Sequence, residues 1–315
     1  MVCPPALTTR FSADLAALRS GEGRLALAVS GGPDSLALLI LANAALPGRV
    51  AAATVDHGLR AESAAESALV GQICSELEVA HAALKVAVEP GNIQAQARAA
   101  RYAALAVWME REGLDALATA HHADDQAETL LARLNRGSGV AGLAGVRARG
   151  IVPGTRLPLI RPLLGWRRAD LGEVVAAAGL TPVQDPSNSD DRFDRARIRK
   201  ALAGADWLDV PALALSAANL ADADAALNWA AAREWSECVI KGPMGLTYRP
   251  TAPRAVALRV LARIVTELDD EVPRGSAVAR LFDSLLARQP ASIGGLVARV
   301  MPEGWSFTKA PVRRT

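Results

Sequence analysis

The sequence predicts an α/β fold in which helices cover both faces of a parallel sheet, followed by a smaller and mostly helical C-terminal domain. In the first half of the 315 residues, short apolar runs alternate with stretches of helical length. The runs are apolar almost throughout, as is typical of strands buried on both faces of a sheet. In the last third an alanine-rich helical pattern replaces this alternation. We therefore place a domain boundary near residue 205, between domains 1–205 and 206–315.

The sheet domain is predicted from four strands and the helices that follow them. The strands are expected at 25–29, 50–55, 83–88 and 116–120, and the helices at 34–46, 61–79, 92–112 and 122–136. In sheets of this kind, ligands bind beyond the carboxyl ends of the strands. The unusual polar motifs of this chain follow strand ends, so that edge is the predicted functional site.

The rest of the chain is predicted to be irregular at first and then helical. Between 150 and 200 the sequence is rich in Pro, Gly and Arg. One helix is expected there at 167–178, followed by a loop of turn-forming residues at 183–194. Further helices are expected from Pro211 to Cys238, at 255–268 and at 276–288, and a terminal hairpin around Pro302 and Gly304.

The composition predicts a folded protein without a membrane segment. Hydrophobic residues make up 51% and charged residues 22% of the chain, which excludes bulk disorder. No apolar run reaches the roughly 20 residues that a bilayer span requires. The N-terminus lacks a basic start and an unbroken apolar core, so we expect no secretory signal, no membrane association and a cytoplasmic location. The sequence leaves a homodimer open.

Charge and cysteine content limit the classes of partner and of site. The net charge is only +2, so a nucleic-acid binder must concentrate its positive charge locally. Two arginine-rich stretches do so, at 147–168 and 194–200. The three cysteines, Cys3, Cys74 and Cys238, contain no CxxC pair. This argues against a zinc knuckle, an iron–sulfur site and a disulfide framework.

The string SGGPDS directly follows the first strand and opens a helix. Its two glycines permit close backbone approach and positive φ, and its proline suits a first helical turn. The free N–H groups at that helix start, together with the two serine hydroxyls, would form a cradle for an anion. A plain strand–turn–helix connection with a serine cap is the alternative. The candidate cradle consists of Ser30, Gly31, Gly32, Pro33, Asp34 and Ser35.

Two weaker candidates lie at the second strand and on the third helix. The second strand ends in VDHGLR, where Asp56 and His57 are explained equally well by a nucleotide contact or by an Asx turn at Gly58. On the helix at 92–112, Arg98 and Arg101 lie three residues apart and share a face. Each is either an ordinary solvated arginine or a phosphate contact.

The most informative stretch is HHADDQAETLLARLNRGSG, at 121–139. Its polar residues His121, Asp124, Asp125 and Glu128 fall within a quarter-turn arc at 100° per residue, opposite an apolar face. A solvated face or the helix dipole would explain three carboxylates at a helix start. However, carboxylates that face a phosphate cradle would repel a nucleotide unless a divalent cation or a cationic substrate lay between them. This conflict of sign favours a functional role.

Five motifs together resemble those of the tRNA(Ile)-lysidine synthetases, a family of the PP-loop ATP pyrophosphatase superfamily. They are SGGPDS, VDHGLR, HHADDQAETLLARLNRGSGVAGLAG, RPLL at 161–164 and DPSNSD at 185–190. SGGPDS alone indicates only the superfamily, whereas the ordered set is specific to the family. The resemblance is weaker beyond residue 205. It implies a Rossmann-like PP-loop sheet and a small C-terminal domain that binds substrate or tRNA.

The resemblance implies a two-step ligase reaction that forms a carbon–nitrogen bond. ATP adenylates the C2 oxygen of the wobble cytidine in an isoleucine tRNA with a CAU anticodon, and free L-lysine then displaces AMP. The implied cofactors are ATP and Mg²⁺. The resemblance implies that residues 30–35, Asp56, His57 and His121 bind ATP and that Asp34 and Asp125 hold the metal. The implied catalytic residues are Asp34, Asp125, Arg101 and Glu128. The implied tRNA contacts are Arg161, Arg195, Arg197 and Arg199. Whether Glu128 binds the lysine ammonium or assists its deprotonation stays open.

Departures from the family pattern and alternative functions complete the prediction. Family members commonly carry an Asn where this chain has Ala196, which weakens the role predicted for 195–199. The chain length resembles the short form of the family, so tRNA contacts must come from a smaller surface. A tRNA thiolation enzyme would be expected to carry catalytic cysteines, and an amidotransferase would need a source of ammonia. A non-catalytic RNA- or nucleotide-binding protein would have no use for Asp34, Asp125 and Glu128.

Overall fold

The computed structural model describes residues 3–19, 21–56, 58, 63–86, 93–183 and 194–310. The chain divides into two units, Met1–Ala221 and Asp222–Thr315. This division falls inside a long helix, Val210–Cys238. The domain boundary near residue 205 stays a prediction.

The first unit contains a six-stranded, mostly parallel sheet. Its strands are β1 Arg24–Ala28, β2 Val50–Asp56, β3 Ala80–Lys85, β4 Leu114–Ala118, β5 Arg149–Ile151 and β6 Pro158–Ile160. They lie in the order β3-β2-β1-β4-β6-β5, and only β5 runs antiparallel to its neighbour. The predicted parallel sheet is confirmed. The strands β5 and β6 were not predicted, because each has three residues in a stretch rich in Pro, Gly and Arg.

The third strand begins earlier than predicted, at Ala80. Its second residue is His81, a polar residue that lies just before the apolar run at 83–88 used for the prediction. In the structure, His81 Nε2 lies 2.9 Å from Thr54 Oγ1 on the neighbouring strand β2. A partner on the adjacent strand therefore satisfies the imidazole inside the sheet, and sequence periodicity does not reveal such a partner.

Nine helices are described in the part of the chain up to Cys238. They are α1 Pro5–Leu18, α2 Pro33–Ala45, α3 Ser63–Glu76, α4 Ile93–Glu112, α5 Ala123–Leu134, α6 Val140–Leu143, α7 Arg168–Ala177, α8 Asp194–Ala203 and α9 Val210–Cys238. Each of β1, β2, β3 and β4 is followed by a helix, as the alternation of apolar runs predicts.

Both faces of the sheet are buried at its central strands β1, β2 and β4, which explains why the sequences of these strands are mostly apolar. On β1, Leu25 and Leu27 pack in the same cluster as the leucines of α2. The intervening Ala26 and Ala28 pack on the other face against α4, which contributes Leu105 and Met109. Successive strand residues point to opposite faces, so the two clusters cover the body of the sheet. The loops beyond its strand ends are therefore available to bind a ligand.

The second unit combines helices with a five-stranded antiparallel sheet. Helices α10 Arg254–Asp269 and α11 Gly275–Leu286 agree with the predicted helices. The strands are β7 Val239–Gly242, β8 Gly245–Tyr248, β9 Ala291–Ile293, β10 Leu296–Met301 and β11 Gly304–Lys309, in the order β7-β8-β11-β10-β9. The predicted terminal hairpin is confirmed as β10–β11. The short strands β7, β8 and β9 were not predicted. Among the described helices, none has the length and apolar character needed to cross a bilayer.

Candidate active site

The turn between β1 and α2 has the form of an anion cradle. Gly31 has a φ of 85°, a conformation that glycine adopts without strain. The Ser30 N–H donates to Ser35 Oγ at 3.1 Å, and Ser35 Oγ donates to the Gly32 carbonyl at 3.0 Å. No side chain in the described part of the chain caps α2, and Pro33 lies in the first turn of this helix. The N–H groups of Asp34 and Ser35 therefore have no partner within the helix and can bind an anion.

A cavity of about 190 Å³ opens at this turn. It lies at the carboxyl ends of β1 and β4, between the starts of α2 and α5, where an α/β sheet is expected to bind its ligand. Its lining consists of Ala28, Ser30, Gly32, Asp34, Ser35, Arg101, Thr119, Ala120, His121, Asp125 and Arg195. The structure thus brings the SGGPDS turn, the predicted Arg101 and the acidic start of α5 to one place.

The wall of the cavity carries both signs of charge. Arg101 of α4 and Arg195 of α8 supply guanidinium groups, and Asp34 and Asp125 supply carboxylates. Burial lowers the pKa of Arg101, yet an arginine keeps its charge in proteins. No carboxylate in the described part of the chain forms an ion pair with Arg101. A partly buried cation to which the described residues offer no counter-charge is suited to bind an anionic ligand.

A histidine that the sequence analysis missed, His122, lies among three carboxylates beside the cavity. The ring is fully buried, with Nε2 3.4 Å from Asp34 Oδ2 and 3.5 Å from Asp125 Oδ2. Its Nδ1 is 3.6 Å from Asp124 Oδ2. Burial by itself would lower the pKa of His122, but the three carboxylates outweigh burial and raise it to about 9. His122 is therefore a cation at neutral pH.

The neighbouring His121 has the opposite protonation state. Burial lowers the pKa of His121 to about 4; Asp125 opposes this shift, and the guanidiniums of Arg161 and Arg195 add to it. His121 Nδ1 lies 3.0 Å from Thr119 Oγ1. The ring that lines the cavity is thus neutral at physiological pH and offers hydrogen bonds without charge.

Glu128 lies outside the cavity lining and is already paired. Its carboxylate is 1% exposed and accepts a hydrogen bond from Arg199 Nε at 2.7 Å. Arg168 Nη2 approaches the same carboxylate at 3.4 Å. The hydrogen bond that Arg199 donates to Glu128 is the main cause that raises the pKa of Arg199. Helix α8 is therefore held against α5 through a residue predicted to contact tRNA.

The other predicted site residues lie in different surroundings. Asp56 ends β2 and accepts hydrogen bonds from the Gly58 N–H at 2.8 Å and the Ser63 hydroxyl at 2.6 Å, as in the Asx turn considered above. Arg161 is only 7% exposed, and its Nη1 donates to the Arg147 carbonyl at 2.6 Å. His57 and the motif at 185–190 lie outside the described residues.

The site fits a nucleotide-bound Mg²⁺ better than a metal held by protein alone. No group of three or more His, Cys, Asp or Glu side chains is placed to hold a metal ion in the described ranges. A nucleotide-bound Mg²⁺ needs only one or two carboxylates, because phosphate oxygens and waters fill its other positions. Asp34 and Asp125 meet this requirement, since both lie near His122 Nε2. Asp34 Oδ1 is buried and has no hydrogen-bond partner among the described residues, which leaves it able to coordinate a cation.

Comparison with known proteins places this site in a family. Residues 7–205 match the family model of the PP-loop domain. The tRNA(Ile)-lysidine synthase of Novosphingobium aromaticivorans is 49% identical over 311 residues, which cover 98% of this chain and 95% of that protein. The chain belongs to the tRNA(Ile)-lysidine synthase family. The tRNA(Ile)-lysidine synthase of Zymomonas mobilis is 40% identical over 299 residues, 93% of this chain and 90% of its own.

A solved structure from outside the lysidine synthase family shares the fold. It is the U34-tRNA thiolase of Methanococcus maripaludis with its [4Fe-4S] cluster, at 16% identity and a TM-score of 0.56, covering 69% of this chain and 79% of the thiolase. None of the three cysteines of this chain lines the cavity, and burial raises the pKa of the Cys74 thiol to about 12.

Proposed function

We propose that this chain is a tRNA(Ile)-lysidine synthetase that acts at the cavity between α2 and α5. The C2 oxygen of the wobble cytidine attacks the α-phosphorus of ATP, and pyrophosphate leaves. The ε-amine of free L-lysine then attacks C2, the bond from C2 to the AMP oxygen breaks, and the amine releases a proton. The observation that carries the proposal is the convergence of the SGGPDS turn, Arg101 and two carboxylates on one cavity, in a chain 49% identical to a tRNA(Ile)-lysidine synthase.

The phosphate groups would bind at the start of α2. The helix terminus supplies roughly half a positive charge and free N–H donors, which is too little for a leaving group that carries several negative charges. Arg101 and Arg195 line the same cavity and can each form two parallel hydrogen bonds to a phosphate. We assign to them the stabilisation of the charge that develops on pyrophosphate.

Asp34 and Asp125 would hold Mg²⁺ together with the nucleotide. The ion would neutralise phosphate charge that the two arginines leave uncompensated. The His122 cation lies near both carboxylates and reduces their mutual repulsion. With these cations, two acidic side chains can lie next to an anion cradle without repelling the bound anion.

Lysine would be recognised at Glu128. Two guanidiniums hold that carboxylate, so a lysine ammonium must lie beside them or replace Arg199. The ε-amine has an ordinary pKa near 10.4 and attacks only as the neutral amine. A cationic surrounding of Arg168 and Arg199 favours the neutral amine, because like charges lower the pKa of an ammonium group. We therefore assign Glu128 to binding and the arginines to lowering the amine pKa.

The tRNA would contact helix α8. Arg197 is exposed, and Arg195 lies at the cavity, whereas Arg199 is paired with Glu128. Arg161 is almost fully buried, so we assign it to the positive charge that acts on His121 rather than to direct phosphate contact. This leaves Arg195 and Arg197 as the described members of the predicted set that can meet tRNA phosphates near the reacting base.

Release of pyrophosphate from ATP tests the proposal. The purified chain should release pyrophosphate only with an isoleucine tRNA that carries CAU, and turnover to AMP and modified tRNA should further require free lysine. A thiolase would depend on a sulfur donor instead, and a non-catalytic binding protein would release no pyrophosphate under any of these conditions. Pyrophosphate release that ignores the anticodon would contradict the proposed substrate.

A further inference from the structure

One carboxylate, Asp124, joins the start of α5 to the start of α7. Its Oδ2 accepts the Arg168 backbone N–H at 2.9 Å. Arg167 Nε and Nη2 donate to Oδ2 and Oδ1 at 3.2 and 3.3 Å. Asp124 thereby satisfies a free N–H group in the first turn of α7. The position of this carboxylate is fixed from the α7 side by three donors.

The same carboxylate lies against the ring of His122. The ring has no solvent exposure, so neighbours on its two edges determine its position. One edge, at Nδ1, is 3.6 Å from Asp124, and the other, at Nε2, is within 3.5 Å of both Asp34 and Asp125. A continuous row of side chains thus runs from α7 through Asp124 and His122 to the two carboxylates at the cavity.

We propose that Asp124 and His122 are a positioning pair that sets the distance between Asp34 and Asp125 and so determines how tightly the site binds a divalent cation with ATP. Neither member of the pair lines the cavity, so neither is a catalytic residue. Residues that orient metal ligands commonly change metal affinity or activity by about 10–100-fold when replaced. The inference rests on the proposed function, because it assigns Asp34 and Asp125 to the metal and the nucleotide.

A purely structural role for Asp124 makes a different prediction. If Asp124 only capped α7, another residue at the same helix start should have the same effect when replaced. Asp170 is that residue. It accepts the Arg167 N–H at 3.2 Å and pairs with Arg10 at 2.9 Å, on the side of α7 that faces α1. Asp170→Asn is therefore a matched control for Asp124→Asn.

The test measures binding of Mn²⁺ together with ATP by electron paramagnetic resonance, with the full chain and without tRNA or lysine. Asparagine keeps an oxygen for the Arg168 N–H but removes the charge that faces His122. We expect Asp124→Asn to weaken Mn²⁺·ATP binding at least tenfold, and Asp170→Asn to change it less than twofold. Thermal unfolding of both variants, measured in parallel, should show similar shifts.

A double-mutant cycle completes the test. In a His122→Asn background, Asp124→Asn should have little additional effect on Mn²⁺·ATP binding, because the two residues act through one contact. Equal weakening by the Asp124 and Asp170 variants, additive effects in the cycle, or wild-type binding by Asp124→Asn would each overturn the inference. Failure of the proposed function has a separate signature: Mn²⁺·ATP binds with the predicted differences, yet no pyrophosphate is released with the CAU tRNA.

Discussion

Replacement of His122 by asparagine should change how the stability of the fold depends on pH. The carboxylates of Asp124, Asp34 and Asp125 outweigh burial and raise the pKa of His122 from 6.5 to about 9. A group whose pKa is raised on folding contributes stability that is complete below the unfolded pKa and is lost as the pH rises through the folded pKa. His122 therefore stabilises the fold fully below about pH 6.5, and this contribution disappears above about pH 9.

The difference between these two pKa values corresponds to a contribution of about 3 kcal/mol to the free energy of unfolding. Because the ring has no solvent exposure, solvent screening does not reduce this value. Urea unfolding at pH 6 and pH 9.5 measures the difference in free energy of unfolding between the wild type and His122→Asn. We expect that difference to shrink by about 3 kcal/mol between the two pH values.

His81→Asn is the control for this experiment. Burial lowers the pKa of His81, so folding disfavours its charged form, which is the opposite of the effect at His122. The free-energy difference between the wild type and His81→Asn should not shrink as the pH rises. A difference for His122→Asn that is independent of pH would refute the assignment of His122 as the cation among the three carboxylates.

Three further substitutions test the remaining roles. Asp34→Ala should abolish adenylation, measured as tRNA-dependent pyrophosphate release, and leave tRNA affinity nearly unchanged; an active variant would remove Asp34 from the mechanism. Arg197→Glu should weaken tRNA binding and flatten its dependence on log salt concentration by about 0.7–0.9 for each lost phosphate contact, whereas unchanged binding would exclude this part of α8. Glu128→Gln should raise the KM for lysine about tenfold or more, since a charged hydrogen bond is worth about 1.5–3 kcal/mol, and leave the KM for ATP within twofold. Equal KM values for lysine would exclude Glu128 from the lysine site.

Local patterns were sufficient to predict four of the six strands of the parallel sheet and the edge at which the cavity lies. Strands buried on both faces leave an apolar signature in the sequence, and helices follow them at regular intervals. Since the strands are parallel, every motif that follows a strand end is carried to one edge of the sheet. We therefore expected the SGGPDS turn and the start of α5 to lie close together, and in the structure both line one cavity.

Long-range contacts were not predictable in the same way. The partner of Glu128 is Arg199, 71 positions later in the chain, and no periodicity links the two. His122 was missed because its charge depends on Asp34, which comes from a different helix. The only signal was its place directly before an acidic helix start at a strand end. The strands β5, β7 and β9 have four residues or fewer, which is too short for an alternating pattern to identify.

The mass of the wobble nucleoside tests directly whether this chain joins lysine to the wobble cytidine. An isoleucine tRNA transcript with a CAU anticodon is incubated with the chain, ATP, Mg²⁺ and isotopically labelled lysine, and its nucleosides are then analysed by mass spectrometry. The proposed lysidine synthetase activity predicts that the wobble cytidine gains one labelled lysine with loss of its C2 oxygen, and that Asp34→Ala and Asp125→Ala give unmodified cytidine. Unmodified cytidine from the wild type, or full modification by both variants, would contradict it.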